Sequence, residues 1–321
     1  MTNTEVLIQQ IIVGLSNGMI IALIALGYTM VYGIVELINF AHGDLFMLGA
    51  FLALTLLGVF GIDPATFSTG GFPWVLIPVF IVVPLFCGGL NWTVDRLAYR
   101  PLRNAPRLAP LVSAIGVSFI FLNLGLFWGG MPMAVFNDGV AAAAPKDFPG
   151  LISNNNLLGE ENMILYTVKD LMVTVITIPL MIGLTFMVKF TRLGKAMRAV
   201  AQNPTAAQLM GINVDNIIGV TFVIGGALAG VASIVYSLYN NTIYFQMGFR
   251  VGLDAFTAAV LGGIGNLPGA VVGGLVIGLI RAMSDQYIAT RWTNVVVFAI
   301  LILVLVFRPS GLLGAHVKEK V

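Results

Sequence analysis

Long runs of mostly apolar residues follow one another through most of this 321-residue chain, at about 7–33, 38–60, 72–94, 108–130, 164–188, 214–239, 253–265, 268–284 and 292–307. No other feature constrains its fold as tightly. About 20 apolar residues in a helix cross the hydrocarbon core of a bilayer. Backbone polar groups find no water there, so each crossing segment must satisfy them internally as a helix. Charged residues make up 9% of the chain, where a soluble domain carries about 25%. The expectation is an all-α, polytopic membrane protein with about eight or nine transmembrane or partial helices. The first run lacks the basic start and small-residue cleavage site of a secretory signal, so it reads as a mature helix. The pair 253–265 and 268–284, separated by Asn266-Leu267-Pro268, reads either as two short spans or as a re-entrant segment and one full span.

Basic loop residues set orientation. Arg96, Arg100, Arg103 and Arg107 follow the third run, Lys189, Arg192, Lys195 and Arg198 follow the fifth, and Arg308, Lys318 and Lys320 follow the last. Together they hold most of the 16 Lys and Arg residues. All fall on one side if 253–284 crosses and returns, which places the N-terminus outside and the C-terminus in the cytoplasm. The segments assigned outside contain Glu5, Asp63, Asp138, Asp147, Glu160, Glu161, Asp170, Asp254 and Asp285, but also Arg281 and Arg291. A net charge of +2 with loop-bound basic residues is no nucleic-acid footprint. The single cysteine, Cys87, lies within an apolar run and reads as packing. His42 and His316 are too far apart in sequence for metal-ligand spacing. No Walker A pattern occurs, so any ATP hydrolysis must come from another chain. No nucleophile, base and orienting group recur at helical spacing, and an enzyme is not expected.

Residues 191–213 form the longest segment on the basic side with helical signals. Pro204 suits the first helical position, Asn203 the N-cap and Gly211 the terminator. Ala206, Leu209 and Met210 share one face, and Lys195 and Arg198 lead in. Two readings stay open here: an amphipathic connector, or a short rigid helix that fits a moving partner's cleft. Two polar places lie near membrane depth. In "ELINFAHGD" (36–44), Asn39, His42, Gly43 and Phe46 share a helical face, either as an interfacial helix start or as the wall of a substrate path. Asp44 points elsewhere, so His42 and Asp44 form a poor acid–base dyad. In "VLGGIGNLPGAVVGG" (260–274), Gly262, Gly263, Gly265, Pro268 and Gly269 break the helix, which is tolerated where backbone is buried in protein or lines a cavity. Gly226–Gly230, Gly269–Gly273 and Gly274–Gly278 are small-residue pairs that let helices approach. Sparse charge in the spans suits a neutral or zwitterionic solute.

The blocks "GYTMVYGIVELINFAHGDLFMLGAF" (27–51), "RPLRNAPRLAPLVSAIG" (100–116), "GKAMRAVAQNPTAAQLMGIN" (194–213), "FTAAVLGGIGNLPGAVVGGLVIG" (256–278) and "VFRPSGLLG" (306–314) together resemble the high-affinity branched-chain amino-acid ABC transporter permeases, the first of their two permease subunits. Related permeases for urea, short amides and other neutral amino acids share much of the pattern, and "NFAHGD" with "YTMVYG" is closer to the branched-chain branch. Thr205-Ala206-Ala207 followed by Gly211 is similar to the coupling pattern of importer permeases, with Thr where Glu is usual. The resemblance implies one permease domain over 1–321 in a bacterial inner membrane, with a coupling segment at 191–213 and an outer loop at 131–163. It also implies a second homologous permease, two cytoplasmic ATPases that use ATP and magnesium, and an external or periplasmic binding protein. This chain itself would hold no cofactor or metal. Coupling residues would be Arg198, Asn203, Pro204, Ala206, Ala207, Leu209, Met210 and Gly211. Path candidates are Asn39, His42, Gly43, Phe46, Gly263, Gly265, Asn266 and Pro268.

Overall fold

A computed structural model describes residues 3–35, 39–62, 74–103, 105–106, 108–159 and 161–314. Glu36, Asp63, Arg107, Glu160, His316, Lys318 and Lys320 lie outside the described residues. The helices are α1 (Asn3–Val35), α2 (Ala41–Val59), α3 (Leu76–Val94), α4 (Leu108–Gly129), α5 (Val168–Phe190), α6 (Arg192–Gln202), α7 (Pro204–Leu209), α8 (Val214–Asn240), α9 (Met247–Gly262), α10 (Leu267–Ser284) and α11 (Thr293–Phe307). Seven stretches among the described residues are long and apolar enough to cross a membrane, and α10 through α11 counts as one of them. This is a multi-pass helical membrane protein. Among the described residues two short strands, β1 (Lys146–Asp147) and β2 (Thr242–Ile243), pair antiparallel. α9 has 16 residues, about 24 Å at 1.5 Å per residue. The helix before the break therefore starts at Met247, earlier than the apolar run at 253 suggests, because Arg250 is carried within it.

The helices group into two compact units, one of residues 1–36, 156–212 and 254–321, the other of 37–155 and 213–253. In the first, α1 lies along α10 on small residues. A Cβ on Gly18 would come within 2.9 Å of the Leu275 Cα, and one on Gly278 would collide with Gly14 and Gly18. Ser16 of α1 donates a 2.7 Å hydrogen bond to Asp170, which with Thr167 forms the capping box that starts α5. In the second unit α3 lies along α8 in the same manner. Gly226 abuts Cys87 and Asn91, Gly230 abuts Pro84, and Gly88 abuts Val223. Lipid tails are as apolar as leucine, so such contacts hold through close van der Waals approach. Cys87 is fully buried in that packing.

An internal repeat underlies this arrangement. α3 ends in a single π turn (Asp95–Tyr99) and a 3₁₀ turn (Arg100–Leu102) before α4, and α10 ends in a π turn (Asp285–Ala289) and a 3₁₀ turn (Thr290–Trp292) before α11. At one constant spacing Pro78, Val82, Leu85, Gly88 and Asp95 match Pro268, Val272, Leu275, Gly278 and Asp285. Around the starts of α2 and α9, Phe40, Gly43, Leu48, Ala50 and Phe51 match Phe245, Gly248, Leu253, Ala255 and Phe256. The repeats are thus α1–α4 and α8–α11. Their partners are exchanged: α1 of the first packs on α10 of the second, and α8 of the second packs on α3 of the first. The contact of Gly278 with Gly18 has its counterpart in that of Gly88 with Val223.

Candidate functional site

The segment between α5 and α8 is built from consecutive caps. Thr191 accepts from the Gly194 N–H at 3.1 Å to start α6. Asn203 is extended (φ −160°, ψ 102°), and its side chain accepts from the Ala206 N–H at 2.9 Å. Pro204 then opens α7, where its missing N–H leaves no bond unmade. At the other end Gly211 takes φ +82°. Its N–H donates to Gln208 O at 2.9 Å, and the Ile212 N–H donates to Ala207 O at 3.0 Å. That pair of bonds is a Schellman terminator, which needs a left-handed residue. Of α7 only Ala207 is buried, while Leu209 is 84% and Met210 82% exposed. The helix therefore presents a rigid apolar tip. Arg198 does not join it: Nη1 donates to the Val188 and Lys189 carbonyls at the end of α5, fastening α6 to that span.

The first path candidates lie deep in the second unit. Asn39 precedes α2 and is not on its face, because its Oδ1 accepts from the Ala41 N–H at 3.1 Å and starts the helix. The same oxygen accepts from the Tyr99 hydroxyl at 2.7 Å, Nδ2 donates to Asn91 at 3.2 Å, and Asn91 donates to Phe222 O at 2.7 Å. This chain ties α2, α3 and α8 together through groups that would otherwise be buried without partners. His42 and Phe46 are fully buried, and Phe46 meets the Tyr236 ring edge-on at 5.4 Å. Asp44, also buried, accepts a hydrogen bond from Ser118. Gly43 meets its repeat counterpart Gly248 backbone to backbone, so α2 and α9 touch with no room for a side chain.

The second set surrounds the break after α9. Gly263 and Gly265 take φ +106° and +88°, and Asn266 caps α10 by accepting from the Gly269 N–H at 3.3 Å. The freed carbonyls of the α9 end are met by the segment after α11: the Leu312 N–H donates to Leu261 O at 2.8 Å and the Leu313 N–H to Gly262 O at 3.0 Å. Asn266 Nδ2 donates to Leu313 O in turn. "GGIGNLP" and "RPSGLLG" are thus two halves of one contact. Gly263 and Asn266 serve it, while Gly265 and Pro268 remain exposed.

Sequence reasoning placed Asp254 and Arg281 in outer segments, and the structure places them inside α9 and α10 as an ion pair, 14% and 15% exposed. Their signal was available, since Arg281 interrupts an apolar run and Asp254 opens another. Lys146, in the loop between α4 and α5, is buried with its ammonium donating to the carbonyls of Phe136, Val140 and Ala141 at 3.0–3.2 Å. Farther along that loop, Asn156 receives N–H groups from Leu158 and Tyr166 and donates to Gly159 and Ile164.

Residues 10–305 match the family described as "Branched-chain amino acid transport system / permease component". The high-affinity branched-chain amino acid transport system permease protein BraD of Pseudomonas aeruginosa is 41% identical over 319 residues, 98% of each chain. The permease protein LivH of Escherichia coli, of the same description, is 40% identical over 321 residues, 98% of this chain and 97% of that one. The probable branched-chain amino acid transport permease LivH of Methanocaldococcus jannaschii is 28% identical over 309 residues, 94% and 90% of the two chains. No solved structure matches.

Proposed function

The chain belongs to the family of permease components of branched-chain amino acid transport systems, and from that premise we propose that it is a membrane-spanning subunit of an ATP-binding-cassette importer for branched-chain or other neutral amino acids. The carrying observation is the doubly capped α7, held between two spans with Leu209 and Met210 outward. Such a helix resists deformation and seats in an apolar cleft, so displacement of its partner moves α6 and α8 directly. The chain would sit in a bacterial inner membrane, and its partners would be a second homologous permease, two cytoplasmic ATPases and an external substrate-binding protein. ATP and magnesium are handled by the ATPases, and this chain performs no chemistry of its own. In this reading the basic clusters favour α7 and the C-terminus in the cytoplasm, with the N-terminus and residues 131–163 outside.

A transported solute shifts a conformational equilibrium only by its unequal affinity for two states, so the work comes from nucleotide through α7. The same topology has α1 and α8 crossing in opposite senses, the inverted repeat common in transporters whose substrate passes between repeated halves. Gly265 and Pro268, exposed at the break, are the path residues best placed to meet solute. Uptake by the reconstituted transporter tests the reading: radiolabelled leucine should accumulate only with hydrolysable ATP, and unlabelled leucine should compete better than alanine or urea. Competition led by urea transfers the chain to the amide branch of the family. Uptake that survives ATP removal but not collapse of a proton gradient refutes the importer reading.

A further inference from the structure

Within the first unit, α1, the end of α5, α6 and the start of α10 line a partly open cavity of about 210 Å³. Holding one water takes about 10–15 Å³ on this measure, so the space admits a solute of amino-acid size. Met30, Val188, Met197 and Leu267 give it apolar walls. Three polar side chains line it as well. Thr29 is 1% exposed, and its hydroxyl has no hydrogen-bond partner. Helical threonines normally donate to the carbonyl four residues back, as Thr55, Thr93, Thr174 and Thr221 do in this chain. A buried hydroxyl left unpaired costs stability unless something else pairs with it. Arg198 spends one guanidinium nitrogen on the α5 carbonyls, which leaves N–H groups of the other two free to donate. Gln202 lines it as well, as does Leu267 in the N-terminal turn of α10.

The geometry points to a binding site for a small aliphatic carboxylate, reached from the side on which α7 lies, with the acid group toward Arg198 and the chain between Met30 and Met197. Its wall, α6, passes into α7 through Asn203 alone, so a bound molecule fixes the element that drives the cycle. The site is therefore a sensor of accumulated product. The carboxylate site stands on the cavity itself, while its role as a product sensor and leucine as its natural occupant rest on the importer reading.

Cys87 is fully buried, so Ala201→Cys gives this chain one reactive thiol in the cavity, and Val188→Cys gives a second vantage should the first variant fail to assemble. Labelling by a maleimide is followed on the full-length chain in permeabilised membranes that contain the assembled transporter. Leucine and 4-methylpentanoate should slow labelling at least fivefold at saturation, whereas 3-methylbutylamine and urea should not. Adding Thr29→Val should raise the half-protecting concentration about two- to tenfold, the worth of one neutral hydrogen bond, and Thr29→Ser should restore it. Thermal stability of the Thr29→Val chain should not fall, because that hydroxyl holds no intramolecular bond. Protection by the amine equal to that by the acid, no protection by either, or a destabilised Thr29→Val overturns the assignment. Protection by leucine in a transporter that does not carry leucine leaves the site standing and removes the importer's substrate, while transport without protection does the reverse.

Discussion

Replacing Gly211 by valine should melt α7 while leaving its flanking helices intact. A six-residue helix is far below the length at which helices persist alone, about 12–15 residues. Its order therefore depends on the Asn203 cap, Pro204 and the turn at Gly211. The left-handed conformation at φ +82° costs an L-residue about 1–2 kcal/mol, and a β-branched side chain pays the upper part of that range. Valine that avoids the strain gives up the two bonds from 211 and 212 to Gln208 and Ala207, about 1 kcal/mol each. Either route removes about 2 kcal/mol from a segment whose only buried side chain is Ala207. That corresponds to roughly a thirtyfold rise in the open population. Hydrogen–deuterium exchange of a peptide covering 203–213 should accelerate by about that factor, with α8 unchanged. ATP hydrolysis should continue and uptake should fall. Gly211→Asn, which tolerates φ > 0, should recover most of the protection. Unchanged exchange in the valine variant, or asparagine as damaging as valine, would refute the account of what holds α7 in shape.

Asp254→Asn should destabilise the protein by about 1–3 kcal/mol by taking the carboxylate from the Arg281 guanidinium, 15% exposed, and adding Arg281→Met should recover most of the loss in detergent thermal melts. Gly278→Ile should drive α10 off α1 and abolish the folded protein in membranes, whereas Gly183→Ala, at an open position, should be silent by the same fluorescence-detected size measurement. Burial holds the Lys146 ammonium below its ordinary pKa, so between its folded and unfolded values the unfolded chain binds more protons and stability rises with pH. Proteolysis within 131–155 should therefore slow as pH rises toward the ordinary lysine value of about 10.4, and Lys146→Met should lose that dependence.

The spans were legible because apolar run length is imposed by the bilayer, and α4, α8, α10 and α11 fall within a few residues of the runs read from sequence. The caps of α7 were equally legible, since Asn-Pro and a later Gly are local signals with one geometric meaning. Long-range pairing was not. Asn39 reads as a helix-face residue by spacing, and only Tyr99 and Asn91, distant in sequence, make it an anchor ahead of α2. Asp254 and Arg281 look like loop charges until α9 and α10 are side by side and cancel their cost. The glycines at 262–265 announce a break but not that residues 310–314 close over it. The internal repeat was detectable at the Pro, Gly and Asp positions of α3 and α10, yet it is spread so thinly that the matching π and 3₁₀ turns are what make it secure.

The exchange of helices between the repeats has a consequence for biosynthesis. α1 leaves the ribosome first, but the surface carrying Gly14 and Gly18 finds its mate only when residues 274–279 emerge. At 5–20 residues per second this delay is about 13–50 s. Throughout it, a glycine-studded helix waits in the lipid with its interlocking face bare. The nascent chain thus depends on the insertion machinery, or on neighbouring spans, to shelter α1, and premature termination before α10 should yield a product cleared by membrane quality control.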